Sequence, residues 1–276
     1  DKLNHASLME AGILCPATMK RFKHNDLQHL ESLLGRSPQS LVVTEGVFSM
    51  DGDQAPLEHL SSLTNQYDSW LAVDDAHGIG VLGDKGAGSC SAAQISPDIL
   101  VVTFGKAFGL SGAAVLCSSE VGDYLTQFAR HHVYSTAMPP SQAVALSHAC
   151  HMIQTQEWRR EKLLELGSIY SEQMIDVEGF VDTQTPIKPF VVGEAQAALS
   201  IAEELKRNQV WVTAIRPPTV PVGTARLRIT LTANHSQKQV LQLTSSLLQA
   251  TELTSTQVLN QRSKQTIGLS KCHKKQ

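Results

Sequence analysis

Four short apolar runs in the first 150 residues constrain the fold of this chain most: LVVTEGVF (41–48), WLAVDDAH (70–77), ILVVTFG (99–105) and AAVLCS (113–118). Between the first of them and the chain start, and between the first and second, lie LQHLESLL (27–34) and PLEHLSSLTNQY (56–67), whose apolar residues recur at three- and four-residue steps. Strand patterns alternating with helix patterns indicate a mainly parallel sheet covered by helices. The run ILVV, flanked by Pro97, Asp98 and Gly105, reads as a strand buried on both faces. The fold class expected is therefore α/β.

Beyond residue 150 the pattern changes to long helical stretches (141–174), then the short strand-like pieces KPFVVGE, VWVTAI and TARLRITLT, with the helical AQAALSIAEELKRNQ among them. This predicts a large domain over 1–150 and a smaller α+β domain over 151–252. From about residue 253 the periodicity stops, and STQVLNQRSKQTIGLSKCHKKQ turns polar and basic, as a disordered or foreign tail would. The 276 residues carry 23 Lys+Arg against 26 Asp+Glu, a net charge of −3, so bulk charge gives no reason to expect nucleic acid as a partner. No apolar stretch reaches the length of a membrane span and DKLNHASLMEAG has no signal-peptide pattern, which predicts a cytoplasmic protein without membrane association. Five scattered cysteines without CxxC spacing indicate neither a disulfide framework nor a zinc site, and no metal is expected.

The polar residues that end the apolar runs carry the chemistry. In DILVVTFGKAFGLSGAA, Lys106 lies just past a strand, where α/β proteins open ligand crevices. A lysine in a dry crevice can lose its charge and act as a nucleophilic amine, whereas in a wet glycine-rich turn it is an ordinary surface cation. In AVDDAHGIGVLG, Asp74 and His77 are three apart in a turn leaving the strand, so both can face one ligand; the alternatives are a plain polar turn or a metal pair, for which no third ligand lies nearby. In VTEGVFSMDGD, Glu45 and Ser49 follow the strand, and Asp51-Gly52-Asp53 is a turn without calcium-loop spacing. Ser49, Asp74 with His77, and Thr103 with Lys106 thus come to one edge of the sheet.

These stretches, together with LNHASL, YSTAMPP and TAIRPPTVPVGTARLRITLT, resemble the 8-amino-7-oxononanoate synthase branch of the pyridoxal-phosphate-dependent α-oxoamine synthases over residues 1 to about 250. The resemblance implies a fold-type-I homodimer that condenses L-alanine with pimeloyl-CoA, or a pimeloyl acyl carrier protein, with loss of CO2, in biotin biosynthesis. It implies that Lys106 carries pyridoxal 5'-phosphate, that Asp74 faces the pyridine nitrogen, and that His77 and Ser49 lie near the phenolic oxygen. His5 then stacks on the ring face, Thr103 contacts the phosphate, and Thr136 contacts it from the partner subunit. Arg216 matches the clamp for the alanine carboxylate, with Thr219 beside it; the lesser alternative is a solvent-facing arginine before a turn. Glycine C-acetyltransferase and 5-aminolevulinate synthase are rivals within the family, and a catalytically inactive paralogue or fragment is a rival outside it. In the family LNHASL follows a further N-terminal segment with phosphate contacts, so an N-terminally truncated chain, weak in cofactor binding, is expected.

Overall fold

A computed structural model describes residues 1–253, and the tail expected from about residue 253 lies, beyond that residue, outside the described part. The chain divides into two compact units, one spanning Asp1–Glu161 and the other beginning at Lys162.

The first unit is built on a four-stranded sheet of order β1-β2-β3-β4, with β1 at Leu41–Glu45, β2 at Trp70–Asp74, β3 at Ile99–Thr103 and β4 at Ala113–Cys117. The first three are parallel and β4 is antiparallel to β3. β-Branched residues favour strand in β1 (Val42, Val43, Thr44) and β3 (Ile99, Val101, Val102, Thr103), because they pack well on a pleated surface and lose side-chain freedom in a helix. The helix Leu27–Leu34 starts where Asp26 accepts a hydrogen bond from the His29 backbone N–H at 2.9 Å, and it turns Leu30 and Leu34 inward. Leu57 and Leu60 of the helix Leu57–Gln66 join them against Val42, Leu71 and Val73 of the sheet. Burial of each such side chain is worth about 1.5–3 kcal/mol. A helix following β1 and leading into parallel β2 is the crossover that a parallel pair requires.

One expectation fails here. Only Val102 of the ILVV run is fully buried, and β4 leaves Val115 at 47% and Leu116 at 49% exposure. The reason is position: β4 is an edge strand with a hydrogen-bonded neighbour on one side only, and β3 is next to it.

The second unit has an antiparallel sheet of order β5-β7-β6, formed by Ile187–Gly193, Ala225–Thr230 and Thr213–Ile215 respectively. Its core joins Leu166, Tyr170 and Met174 with Ile201 and Leu205 of the helix Ala195–Arg207, Phe190, Leu227 and Ile229 of the sheet, and Leu243 and Leu247 from a helix over 237–253. No helix among the described residues is long and apolar enough to cross a membrane, and Cys15, Cys90, Cys117 and Cys150 are free thiols.

Candidate active site

The parallel strands bring their carboxyl ends to one edge. Register pairs Glu45 of β1 with Asp74 of β2, and Asp74 with Val101 of β3, so that Thr103 closes β3 two residues further on. Crevices at the carboxyl ends of parallel strands are where α/β folds hold ligands.

β3 runs on into the turn that carries Lys106. This connection to β4 is fastened by the Phe104 N–H donating to the Gly112 carbonyl at 2.9 Å and the Leu110 N–H donating to the Phe104 carbonyl at 2.8 Å. Within it, the Gly109 N–H donates to the Lys106 carbonyl at 3.0 Å, and the Lys106 side chain is exposed. An open crevice of about 610 Å³ adjoins the turn, lined by Gly105, Gly109, Leu110, Ser111, Pro139 and Gln142 among others.

Thr103 holds an informative atom: its Oγ1 is buried and has no hydrogen-bond partner. A buried hydroxyl without a partner costs about 1–3 kcal/mol, so a native one calls for an explanation, and an anionic oxygen is the acceptor such a hydroxyl would take. Beside it on β2, Asp74 is half-buried and accepts the Ala76 N–H at 3.0 Å.

Asp75, the next residue, points the other way and is fully buried. Its carboxylate accepts the Ser89 N–H at 2.8 Å and the Ser89 hydroxyl at 2.5 Å. Burial pushes this carboxyl up to about 6, against the two Ser89 bonds, which favour its charged form. A Cβ on Gly78 would stand 2.0 Å from Ser89 Oγ and 2.1 Å from Asp75 Oδ1, and one on Gly88 2.0 Å from Asp75 Oδ2. Glycine is therefore the residue that lets the backbone close around this carboxylate. The buried clasp lies in the turn between Asp74 and the half-buried His77 and fixes it.

Glu45 is the site residue that motif reading left without a role. It is 3% exposed, and its Oε1 accepts the backbone N–H of His5 at 2.5 Å. Burial raises its carboxyl to about 7; the His5 and Ser49 backbone N–H groups and the charge of Lys106 oppose the rise, and Asp74 adds to it. Glu45 thus shares its electrostatic surroundings with His5, Ser49, Asp74 and Lys106. His5 itself is exposed and caps the helix Ala6–Leu14, its Nδ1 accepting from the Ser7 N–H at 3.3 Å.

Thr136 lies in an exposed stretch between the helices Arg130–Val133 and Pro140–Thr155, and no contact of its side chain with the strand-end group is seen. Arg216 and Thr219 belong to the second unit, both exposed, in one turn closed by the Thr219 N–H donating to the Arg216 carbonyl at 3.0 Å. Among the described residues no cluster of His, Cys, Asp and Glu is arranged to hold a metal ion.

The family model for aminotransferase class I and II matches residues 1–247. The chain belongs to that family. Within it, the chain is 88% identical over 252 residues to an 8-amino-7-oxononanoate synthase of Vibrio atlanticus, covering 91% of this chain and 62% of that relative. It thus spans less than two thirds of the relative's length. A solved 8-amino-7-oxononanoate synthase from Francisella tularensis is 30% identical and superposes with a TM-score of 0.78, covering 95% of this chain and 75% of that one. A high-resolution structure of SPT carrying PLP is 27% identical, with a TM-score of 0.85 over 91% of this chain and 65% of that one. The fold is that of the fold-type-I pyridoxal-phosphate transferases.

Proposed function

We propose that this chain is the greater part of an 8-amino-7-oxononanoate synthase, which joins L-alanine to a pimeloyl thioester with release of CO2 and the thiol, and that it works as a cytoplasmic homodimer with pyridoxal 5'-phosphate. The observation that carries the reading is the buried, unpartnered hydroxyl of Thr103 at the strand-end edge that also bears Asp74, with Lys106 in the turn that follows. An anion-seeking donor, a carboxylate and a primary amine are the set that a phosphorylated pyridine aldehyde needs, so the residues fit the cofactor. The high identity to the Vibrio atlanticus synthase supports the choice of reaction within the family.

When bound, the cofactor supplies an electron sink for the amino-acid carbon that reacts. The protein's own residues do the rest. Lys106 provides the amine that attaches the cofactor and later moves a proton at the reacting carbon. Asp74 holds a proton on the pyridine nitrogen, because a carboxylate there favours the charged ring. Thr103 donates to the phosphate, and Thr136 does so from the second subunit. His77 and Ser49 address the phenolic oxygen, and His5 covers the ring face. Arg216 takes the alanine carboxylate as a bidentate clamp with Thr219 next to it.

The test is a panel of amino acids and acyl thioesters on the cofactor-loaded protein. The synthase reading requires alanine with a pimeloyl thioester to be the preferred pair. Preference for glycine with a short acyl-CoA would replace it by one of the glycine-using members of the family.

A further inference from the structure

A carboxylate that is 3% exposed and stands in register with a second carboxylate is an expensive choice at a strand end, where an apolar side chain would cost nothing. Glu45 therefore calls for a reason. Its contact supplies one. His5 precedes the helix Ala6–Leu14, and a backbone N–H at a helix start has no partner within the helix. Glu45 Oε1 accepts that N–H across forty positions of sequence. When Glu45 is ionised the bond is charge-assisted, which makes it about twice as strong as a neutral one. It ties the first residue before the helix to the carboxyl end of β1, next to the strand that carries Asp74.

We propose that Glu45 is the positioning residue for His5: by holding the His5 backbone against the end of β1, it fixes where the imidazole stands over the ring face of the cofactor. The functional half of this rests on the cofactor reading above. The His5 N–H and the charge of Lys106 favour the ionised form of Glu45, the better acceptor, against burial and the charge of Asp74, which favour the neutral one.

Two measurements test it. In the protein labelled with 15N at histidine, the signal lost on His5→Ala identifies the His5 amide. Glu45→Ala is expected to move that signal upfield and to speed its hydrogen exchange by about tenfold or more, with the isosteric Glu45→Gln in between. An amide that is unchanged in both variants would overturn the tether. Glu45→Gln keeps the shape of the side chain, so the test survives if Glu45→Ala fails to fold. The second measurement follows alanine binding to the cofactor-loaded protein by its visible band. Glu45→Gln should weaken alanine several-fold in the wild-type background and have no further effect once His5 is alanine, because that variant keeps the tethered N–H but has no ring to place. An equal loss in both backgrounds would overturn the role through His5. Absence of any visible band would refute the cofactor reading, and the amide signal would still decide whether Glu45 holds His5.

Discussion

Thr103 and Glu45 store opposite kinds of tension, and each can be released by one substitution. Thr103→Val replaces a buried, unpartnered hydroxyl by a methyl of similar shape. Cofactor-free protein should gain about 1 kcal/mol of stability by denaturant unfolding, while pyridoxal phosphate binds about tenfold more weakly. A change of the same sign in both would refute the phosphate contact. Glu45 and Asp75 make stability depend on pH. Both carboxyls are raised in the folded state, to about 7 and about 6 from 4.5 and 3.8, so between those values the folded protein holds protons that the unfolded chain has released. Their favourable contribution is greatest at low pH and is lost as pH rises through the folded values. For Glu45 the loss is about 3 kcal/mol, complete above neutrality. Glu45→Gln should flatten the decline between pH 5 and 8, and an unaltered slope would contradict the burial of this charge. Lys106, Asp74 and Thr103 are legible in the sequence because each closes an apolar run or follows one closely. Glu45 is legible there only as a polar strand end, because its partner is a backbone N–H forty residues away, and no side-chain pattern marks a backbone donor.

The turn after β2 shows how much an element can depend on residues without side chains. Asp75, Ser89, Gly78 and Gly88 form one buried unit in which the carboxylate fills the space that Cβ atoms would otherwise take. Gly78→Ala should cost several kcal/mol, since a new methyl 2.0 Å from Ser89 Oγ displaces either the hydroxyl or the turn. The Tm of the variant measures it, and a loss within about 0.5 kcal/mol would show that the clasp yields easily. Strands β1–β4 and the helices Leu27–Leu34 and Leu57–Gln66 were legible within a few residues, since strand and helix periods leave different marks. Exposure was not legible for β3 and β4. An apolar run has the same composition at the centre of a sheet and at its edge, and only topology tells which it is. The buried Asp75 was equally hidden, because DD in sequence does not say which carboxylate faces the crevice and which faces the core.

At the scale of the whole molecule, two compact units each have a core of their own, and the candidate residues are divided between them: His5, Ser49, Asp74, His77, Thr103, Lys106 and Thr136 in the first, Arg216 and Thr219 in the second. A ligand common to the two sets is implied by the resemblance alone; periodicity and spacing give each set its local structure. The central claim is that Lys106 is the amine that takes the cofactor. The measurement is borohydride reduction of the protein with substoichiometric pyridoxal phosphate, followed by peptide mapping. The phosphopyridoxyl label should fall on the peptide containing Lys106 in preference to every other lysine, and Thr103→Val should reduce it there alone. Label spread evenly over exposed lysines, or concentrated on one of them while Lys106 stays unmodified, would contradict it.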